Sequence, residues 1–589
     1  MIKILKYMRA KEWCMIALAV LCIVGQVQLD LKLPEYMSEI TMLVQTAGNE
    51  ISDVWTAGGK MMLCAVGSLV LAIIMGFLSS QIAARFSYRL REGVYTKVMS
   101  FSDEEMNRFS TASLITRSTN DITQVQMFVV MGLAVLIKAP ITAVIAVQKI
   151  STKNWQWSAL TGGVILFICV LLGFVMIYAI PRFKKMQVLT DNVNRVTREN
   201  LTGLLVVRAY NAEAYQEQKF EDANEELTTT QLQAQLAMTV MNPGLNLAMN
   251  ALTLGIYWIG AVLIGNITVV DQTSMLERVS LFADMVIFIN YAMQVVMAFL
   301  MLVIIFVMLP RVSVSAKRLN EVLDTVPVMK NGTQTEGNTK LKGEIEFRNV
   351  SFRYHDAAND AVHNISFSAH QGETVALIGA TGSGKSTIIN LIPRLYDASS
   401  GEILLDGIDV KNYELNALRE KIGFVPQKAF LFSGTIAENI GYGEEKISED
   451  GLKRAARIAQ ATEFIETKEN SYEGTVSQNG SNFSGGQKQR LSIARALAKD
   501  AEILIFDDSF SALDYRTDKI LRSELNKEIK GVTKIIVAQR IGTIMDADRI
   551  LVIEDGEIVG NGTHEELMKS CNTYQEIAFS QLSKEELGA

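Results

Sequence analysis

The pattern of apolar and polar positions divides the chain in two. Before about residue 310, long apolar runs alternate with basic, polar segments; beyond about residue 330, short apolar runs alternate with helical periodicity, as in a water-soluble α/β domain. A helix needs ~20 mostly apolar residues to cross the hydrocarbon of a bilayer. Six segments meet that requirement, at 13–33, 60–80, 127–149, 157–180, 243–265 and 281–309. The first is the least clean, because Gln26, Gln28 and Asp30 lie toward its outer end.

The connections 81–126 and 181–242 are long, basic and poor in turn residues, so they read as helices that continue past the membrane. One carries Arg85, Arg89, Arg91, Lys97, Arg108 and Arg117; the other carries Arg182, Lys184, Lys185, Arg195, Arg198, Arg208 and Lys219. The excess of Lys and Arg predicts that both connections, the N-terminus and the C-terminal domain face the cytoplasm. "MIKILKYMRAKEW" is basic and amphipathic, with no cleavable-signal pattern, and residues 1–12 are expected to form an interfacial elbow helix. The expected organisation is a membrane domain over 13–310, a linker over 311–342 and a soluble domain over 343–589.

Composition supports that division. Of 589 residues, 49% are hydrophobic, and the net charge of −7 argues against nucleic acid as a partner. The cysteines (Cys14, Cys22, Cys64, Cys169, Cys571) mostly lie in apolar runs without a CxxC, and the four histidines do not cluster, so neither a disulfide framework nor a metal cage is expected. Several polar residues fall inside the spans: Lys138, Asn246, Asn250, Asp284, Asn290 and Gln294. They would be costly against lipid, so each either lines a wet cavity or bonds to a neighbouring helix. Met293, Met297 and Met301 form a stripe on one helical face, read as either helix packing or a pliable binding surface.

The chemistry lies in the soluble half. "TVALIGATGSGKSTIINLI" reads as a strand, a glycine-rich loop and a helix, the context a phosphate-binding loop requires. Backbone N–H groups of Gly379, Ala380, Thr381, Gly382, Ser383 and Gly384 are placed to close around phosphates, with Lys385 reaching the terminal ones, Ser386 ligating Mg²⁺, and Thr387 opening the helix. Tyr354 precedes the loop at an interval suited to stacking on adenine. Gln427 follows in "VPQ", and "SNFSGGQKQRLSIARALAKD" then runs into "AEILIFDD", ending in Asp507 and Asp508.

Together these motifs resemble an ABC transporter ATPase. With six spans ahead of it, nearly the whole chain resembles an ABC exporter half-transporter. "ENLTGLLVVRAYNAEAYQEQKF" and "LFSGTIAENI" are also similar to that family. The resemblance implies a type IV exporter fold, with a six-helix membrane domain followed by an α/β P-loop NTPase. It implies ATP and Mg²⁺ as cofactors, with Ser386, Gln427 and Asp507 around the metal. It also implies a second half-transporter chain, whose nucleotide is completed by this chain's Ser484, Gly485, Gly486 and Gln487. Short coupling helices are placed near Phe109–Thr116 and Arg208–Tyr215.

Two catalytic positions depart from the family pattern. The family's glutamate after the Walker B aspartate is here Asp508, one methylene shorter, and the family's histidine before Arg540 is here Gln539. Gln478 and Phe483 are milder departures, whereas "SALD" at 511–514 is whole. Asp508, Gln539, Lys385 and Gln427 are therefore expected to form a weakened hydrolytic site. The chain resembles the degenerate subunit of a heterodimeric multidrug exporter that moves amphipathic compounds out of a plasma membrane, with a bacterial layout. Two other readings stand beside it: a homodimer in which Asp508 hydrolyses slowly, and a membrane-bound ATP-dependent regulator. Lipid and short-peptide cargo stay open, although no peptidase-like segment precedes the spans.

Overall fold

A computed structural model describes residues 3–45, 50–151, 153–268, 271–355, 357–443 and 447–582. Residues 1–2 of the expected elbow and 583–589 of the expected soluble domain lie outside them. The chain forms two compact units, one of Met1–Val98 with Ala112–Thr325 and the other of Met99–Thr111 with Val326–Ala589.

In the first unit, six helices among the described residues are long and apolar enough to cross a membrane. They are longer than a crossing requires. Ile51–Met99 has 49 residues and Trp155–Thr202 has 48; at 1.5 Å per residue each spans ~70 Å, against ~30 Å of hydrocarbon. The elbow is a single tight turn at Ile4–Tyr7, and the first long helix begins at Ala10. Arg89 grips the fully buried Glu12 with two hydrogen bonds of 2.8 Å, tying the first helix to the second. The core joins Ile23, Val27 and Leu31 to Trp157, Leu252, Phe288 and Val295, with the Trp157 and Phe288 rings 5.3 Å apart.

The third crossing is broken into Thr111–Thr116, Ile122–Met131 and Lys138–Ser151 by two widened turns of π type, at Arg117–Asp121 and Gly132–Ile137. The polar residues of the spans resolve differently. Asp284 pairs with Lys153 at 2.6 Å, just past the end of the third crossing. Asn290 donates to Val286 O within its own helix, and Asn246 and Asn250 are exposed.

In the second unit the strands are β1 (Ile345–Phe352), β2 (Val362–Ala369), β3 (Thr374–Ile378), β4 (Ser400–Leu405), β5 (Ile408–Asp409), β6 (Ile422–Val425), β7 (Gly434–Thr435), β8 (Thr475–Val476), β9 (Ile503–Asp507), β10 (Thr533–Val537), β11 (Arg549–Glu554) and β12 (Glu557–Gly562). They form a six-stranded sheet ordered β12-β11-β3-β10-β9-β6, a four-stranded sheet ordered β2-β1-β4-β5, and the β7-β8 pair. β3, β9 and β10 run parallel and are almost wholly buried, which explains their unbroken apolar runs. Their C-terminal ends open together at the phosphate loop.

The last long helix continues past the sixth apolar run to Asp324, and beyond it Gly332, Thr333 and Gln334 donate backbone N–H groups to the Tyr413 and Asn412 carbonyls. A Cβ at Gly332 would lie 2.2 Å from Asn412 O, so only glycine fits there. Near the two places expected for coupling helices, the short helices are Asp103–Phe109, ended by Ser110 at φ 54, with Thr111–Thr116 after it, and Leu204–Ala209, followed by a turn before Glu213.

Candidate nucleotide site

The phosphate loop leaves β3 and re-enters a helix at Lys385. Gly379 passes so close to β11 that a Cβ would sit 2.0 Å from Ile553 O, which accounts for the first glycine of the motif. Lys385 folds back over the loop, with Nζ donating to Gly379 O at 2.9 Å, Ala380 O at 2.6 Å and Ser383 Oγ at 3.2 Å. Burial lowers its pKa, and the nearby Asp508 and Asp507 charges act the other way. Ala380, Thr381 and Gly382 are exposed at the loop tip, whereas Ser383 and Thr387 are buried.

Ser386 donates to Asp507 Oδ1 at 2.9 Å, joining the loop to the end of β9. This pair supplies a hydroxyl and a carboxylate, and Gln427, expected beside them, contacts Asp508 Oδ2 through Nε2 at 3.4 Å. Such a set suits Mg²⁺, which takes oxygen ligands, keeps several waters and leans on substrate phosphates. Among the described residues no group of three or more His, Cys, Asp or Glu is placed to hold a metal ion. Burial raises the Asp507 carboxyl above its ordinary range, the Asp508 charge adds to that, and the Ser386 hydroxyl opposes it.

Asp508 sits in the left-handed region, φ 45, with its N–H on Val537 O. Its Oδ2 accepts from Gln539 Nε2 at 2.8 Å and from Gln427 Nε2 at 3.4 Å. The two positions that break the family pattern are thus in direct contact. Burial raises the Asp508 carboxyl, against the Gln427 amide and the Ser511 hydroxyl.

Tyr354 is partly exposed, and its hydroxyl lies 3.0 Å from Thr387 Oγ1 on the loop helix. Its ring stands edge-on to Phe352 at 4.8 Å and to Tyr396 at 5.5 Å. Thr387 and Tyr396 were not foreseen as supports for this ring, and no local pattern in the sequence announces either.

Ser484 caps the Gly485–Ala498 helix reciprocally: its N–H donates to Gln487 Oε1 at 3.0 Å, and Gln487 N–H donates to Ser484 Oγ at 3.3 Å. Neither bond reaches the phosphate loop. Gly485 has open space where a Cβ would stand, and Gly486 abuts Ala512 O of the "SALD" turn.

The segment Met99–Thr111 belongs by its contacts to this unit. Ser102 and Glu105 form a capping box at the start of Asp103–Phe109. Glu105 Oε1 also accepts from Val328 N at 2.7 Å, and Asn107 Nδ2 donates to Tyr396 Oη at 3.4 Å. Ser-x-x-Glu was legible in the sequence and would have placed this helix correctly.

The family model for the ABC transporter transmembrane region matches residues 16–285, and that for the ABC transporter matches 362–511. The chain is 38% identical over 530 residues to an uncharacterized ABC transporter ATP-binding protein of Mycobacterium tuberculosis, covering 89% of this chain and 87% of that one. It is 37% identical over 556 residues to one of Bacillus subtilis, covering 91% of each. It is 32% identical to the ATP-dependent lipid A-core flippase of Pseudomonas aeruginosa, covering 85% of this chain and 81% of that one. A bacterial Atm1-family ABC exporter with ATP bound shares the fold, with a TM-score of 0.78 and 23% identity over 97% of this chain and 98% of that one. Exporters of this type work as dimers in a membrane. The chain belongs to the ABC transporter family: it is a multi-pass plasma-membrane exporter whose six-helix membrane domain is fused to an ATP-binding ATPase domain.

Proposed function

We propose that this chain is the weakly hydrolysing subunit of a heterodimeric exporter of amphipathic compounds. The observation that carries the reading is the 2.8 Å bond from Gln539 Nε2 to Asp508 Oδ2. A residue that polarises the attacking water needs a carboxylate oxygen at the right distance and orientation. Asp508 is one methylene short of the family's glutamate, and the Gln539 and Gln427 amides fix its orientation through Oδ2. Phosphoryl transfer depends mainly on positioning, and a misplacement of ~1 Å costs on the order of 100-fold in rate. Gln539 can donate a hydrogen bond but cannot take up a proton as the family's histidine can.

The parts that bind nucleotide are retained. Lys385, Ser386, Asp507 and Tyr354 would hold ATP with Mg²⁺, and Ser484–Gln487 would complete the site on a partner chain. ATP held here would stabilise the closed dimer by mass action, while the partner's site turns over. Relatives named as ATP-dependent lipid A-core flippases support an amphipathic cargo.

The test is ATP turnover and ATP retention by the purified full-length chain alone. Background turnover with retained ATP is expected. Brisk turnover that collapses in Asp508→Asn would overturn the reading. Slow hydrolysis in a homodimer is the second reading, because Asp508 keeps a carboxylate at the end of β9, next to Asp507.

A further inference from the structure

The membrane unit holds a cavity of about 290 Å³ whose lining includes Asp30, Lys138, Thr142, Gln294, Met297 and Met301. Lys138 lies at the middle of the apolar run 127–149, 13 residues before the end of its helix at Ser151, and Asp30, toward the outer end of the first apolar run, faces it. An ammonium so placed is costly and is kept where it serves a pathway or a ligand.

The pair is unequal. Asp30 is engaged at both oxygens: Oδ1 accepts from Ser68 Oγ, and Oδ2 faces Lys138 Nζ at 3.5 Å. That long contact is the one ion pair Lys138 makes among the described residues, although an ammonium carries three donors. Thr142 Oγ1 is buried with no hydrogen-bond partner. The cavity is therefore short of acceptors. The widened turn Gly132–Ile137 ends at the residue before Lys138, and such turns cluster at functional sites because they re-aim the side chains that follow.

We propose that this cavity receives the anionic headgroup of the transported amphiphile, with Lys138 as the recognising cation and Asp30 as its resting counter-ion. Thr142 and Gln294 supply further donors, and Met297 and Met301 form a pliable wall for the adjoining chain. The volume suits a headgroup better than a whole lipid. The proposal rests on reading the chain as an amphiphile exporter and specifies the charge of the cargo.

The test uses the full-length protein in phosphatidylcholine nanodiscs, without nucleotide, titrated with dodecyl phosphate and with dodecyltrimethylammonium. Wild type is expected to bind the phosphate roughly tenfold more tightly, as a charge-assisted contact implies. In the Asp30→Asn/Lys138→Met double variant, which strands no charge, the ratio should fall to about one. Melting curves without probe establish that the variant is folded, and the wild-type ratio decides the matter if it is not. Preference for the cation, absence of preference, or a preference that survives in the folded double variant would overturn the proposal. Because no ATP is present, failure here leaves the hydrolysis reading untouched, and brisk ATP turnover would leave this one untouched.

Discussion

Gln539 donates its side-chain amide to Asp508 Oδ2 at 2.8 Å, so the two departures from the family pattern form a single hydrogen-bonded pair. The shortened carboxylate and the non-titrating amide must then be treated together. Residues in direct contact show interaction energies of about 0.5–3 kcal/mol in double-mutant cycles.

Restoring both positions, as Asp508→Glu with Gln539→His, should raise ATP turnover of the chain assayed alone by roughly 100-fold, the scale of a corrected ~1 Å misplacement. Each single change should recover much less, because a longer carboxylate against Gln539, or an imidazole against the short Asp508, leaves the pair mismatched. Steady-state phosphate release from the four proteins checks this. Additive single effects would show that the contact has no catalytic bearing.

Tyr354 offers a separate handle on nucleotide affinity. Its ring is supported by Phe352 and Tyr396, and its hydroxyl by Thr387. Tyr354→Ala should weaken ATP binding by about 1–3 kcal/mol, the worth of a base–aromatic stack. Tyr354→Phe keeps the stack and should lose ~1 kcal/mol or less with the Thr387 bond. Titration with a fluorescent ATP analogue separates the two. A Phe variant as weak as the Ala variant would show that the hydroxyl, and not the ring, matters.

The Glu105 anchor carries a pH signature. Burial pushes its carboxyl upward, but hydrogen bonds from Ser102 and Val328 N outweigh that, and the net shift is downward. A carboxyl lowered in the folded state contributes stability above its unfolded value, and that contribution disappears as pH falls through the folded one. Glu105→Gln should therefore cost about 2 kcal/mol at neutral pH, as for hydrogen bonds to a charged group, and almost nothing once Glu105 is protonated in both states. Melting temperatures of the two proteins from neutral pH down to below the carboxylate range check the convergence. A gap independent of pH would assign the loss to packing.

Much of the architecture was legible because its signals are local and contiguous. The run from Thr374 to Ile392 announces strand, loop and helix in order, and six apolar stretches announce six crossings. Helix ends were harder to place, since polar continuations such as 81–99 keep helical periodicity with no boundary residue. The Asp508–Gln539 contact was out of reach for another reason. It joins residues adjacent only because β9 and β10 pair in parallel, with Asp507 opposite Val537. The widened turn before Lys138 leaves no mark in hydrophobic spacing, so span three read as one regular helix. The helix Asp103–Phe109 is a different case: Ser102 and Glu105 mark its start locally, six residues before the Phe109 at which the family resemblance begins a short helix.

The interposed stretch Met99–Thr111 has a practical consequence for anyone dissecting the protein. A recombinant fragment starting near Val326 would carry both sheets and all the nucleotide motifs, yet lack thirteen residues of its own surface that the intact polypeptide supplies from far upstream. The Val328 amide and the Tyr396 hydroxyl would lose their partners, beside the very ring meant to meet adenine. Affinities measured on such a truncated piece would describe a wounded domain, and supplying the missing peptide in trans is the way to heal it.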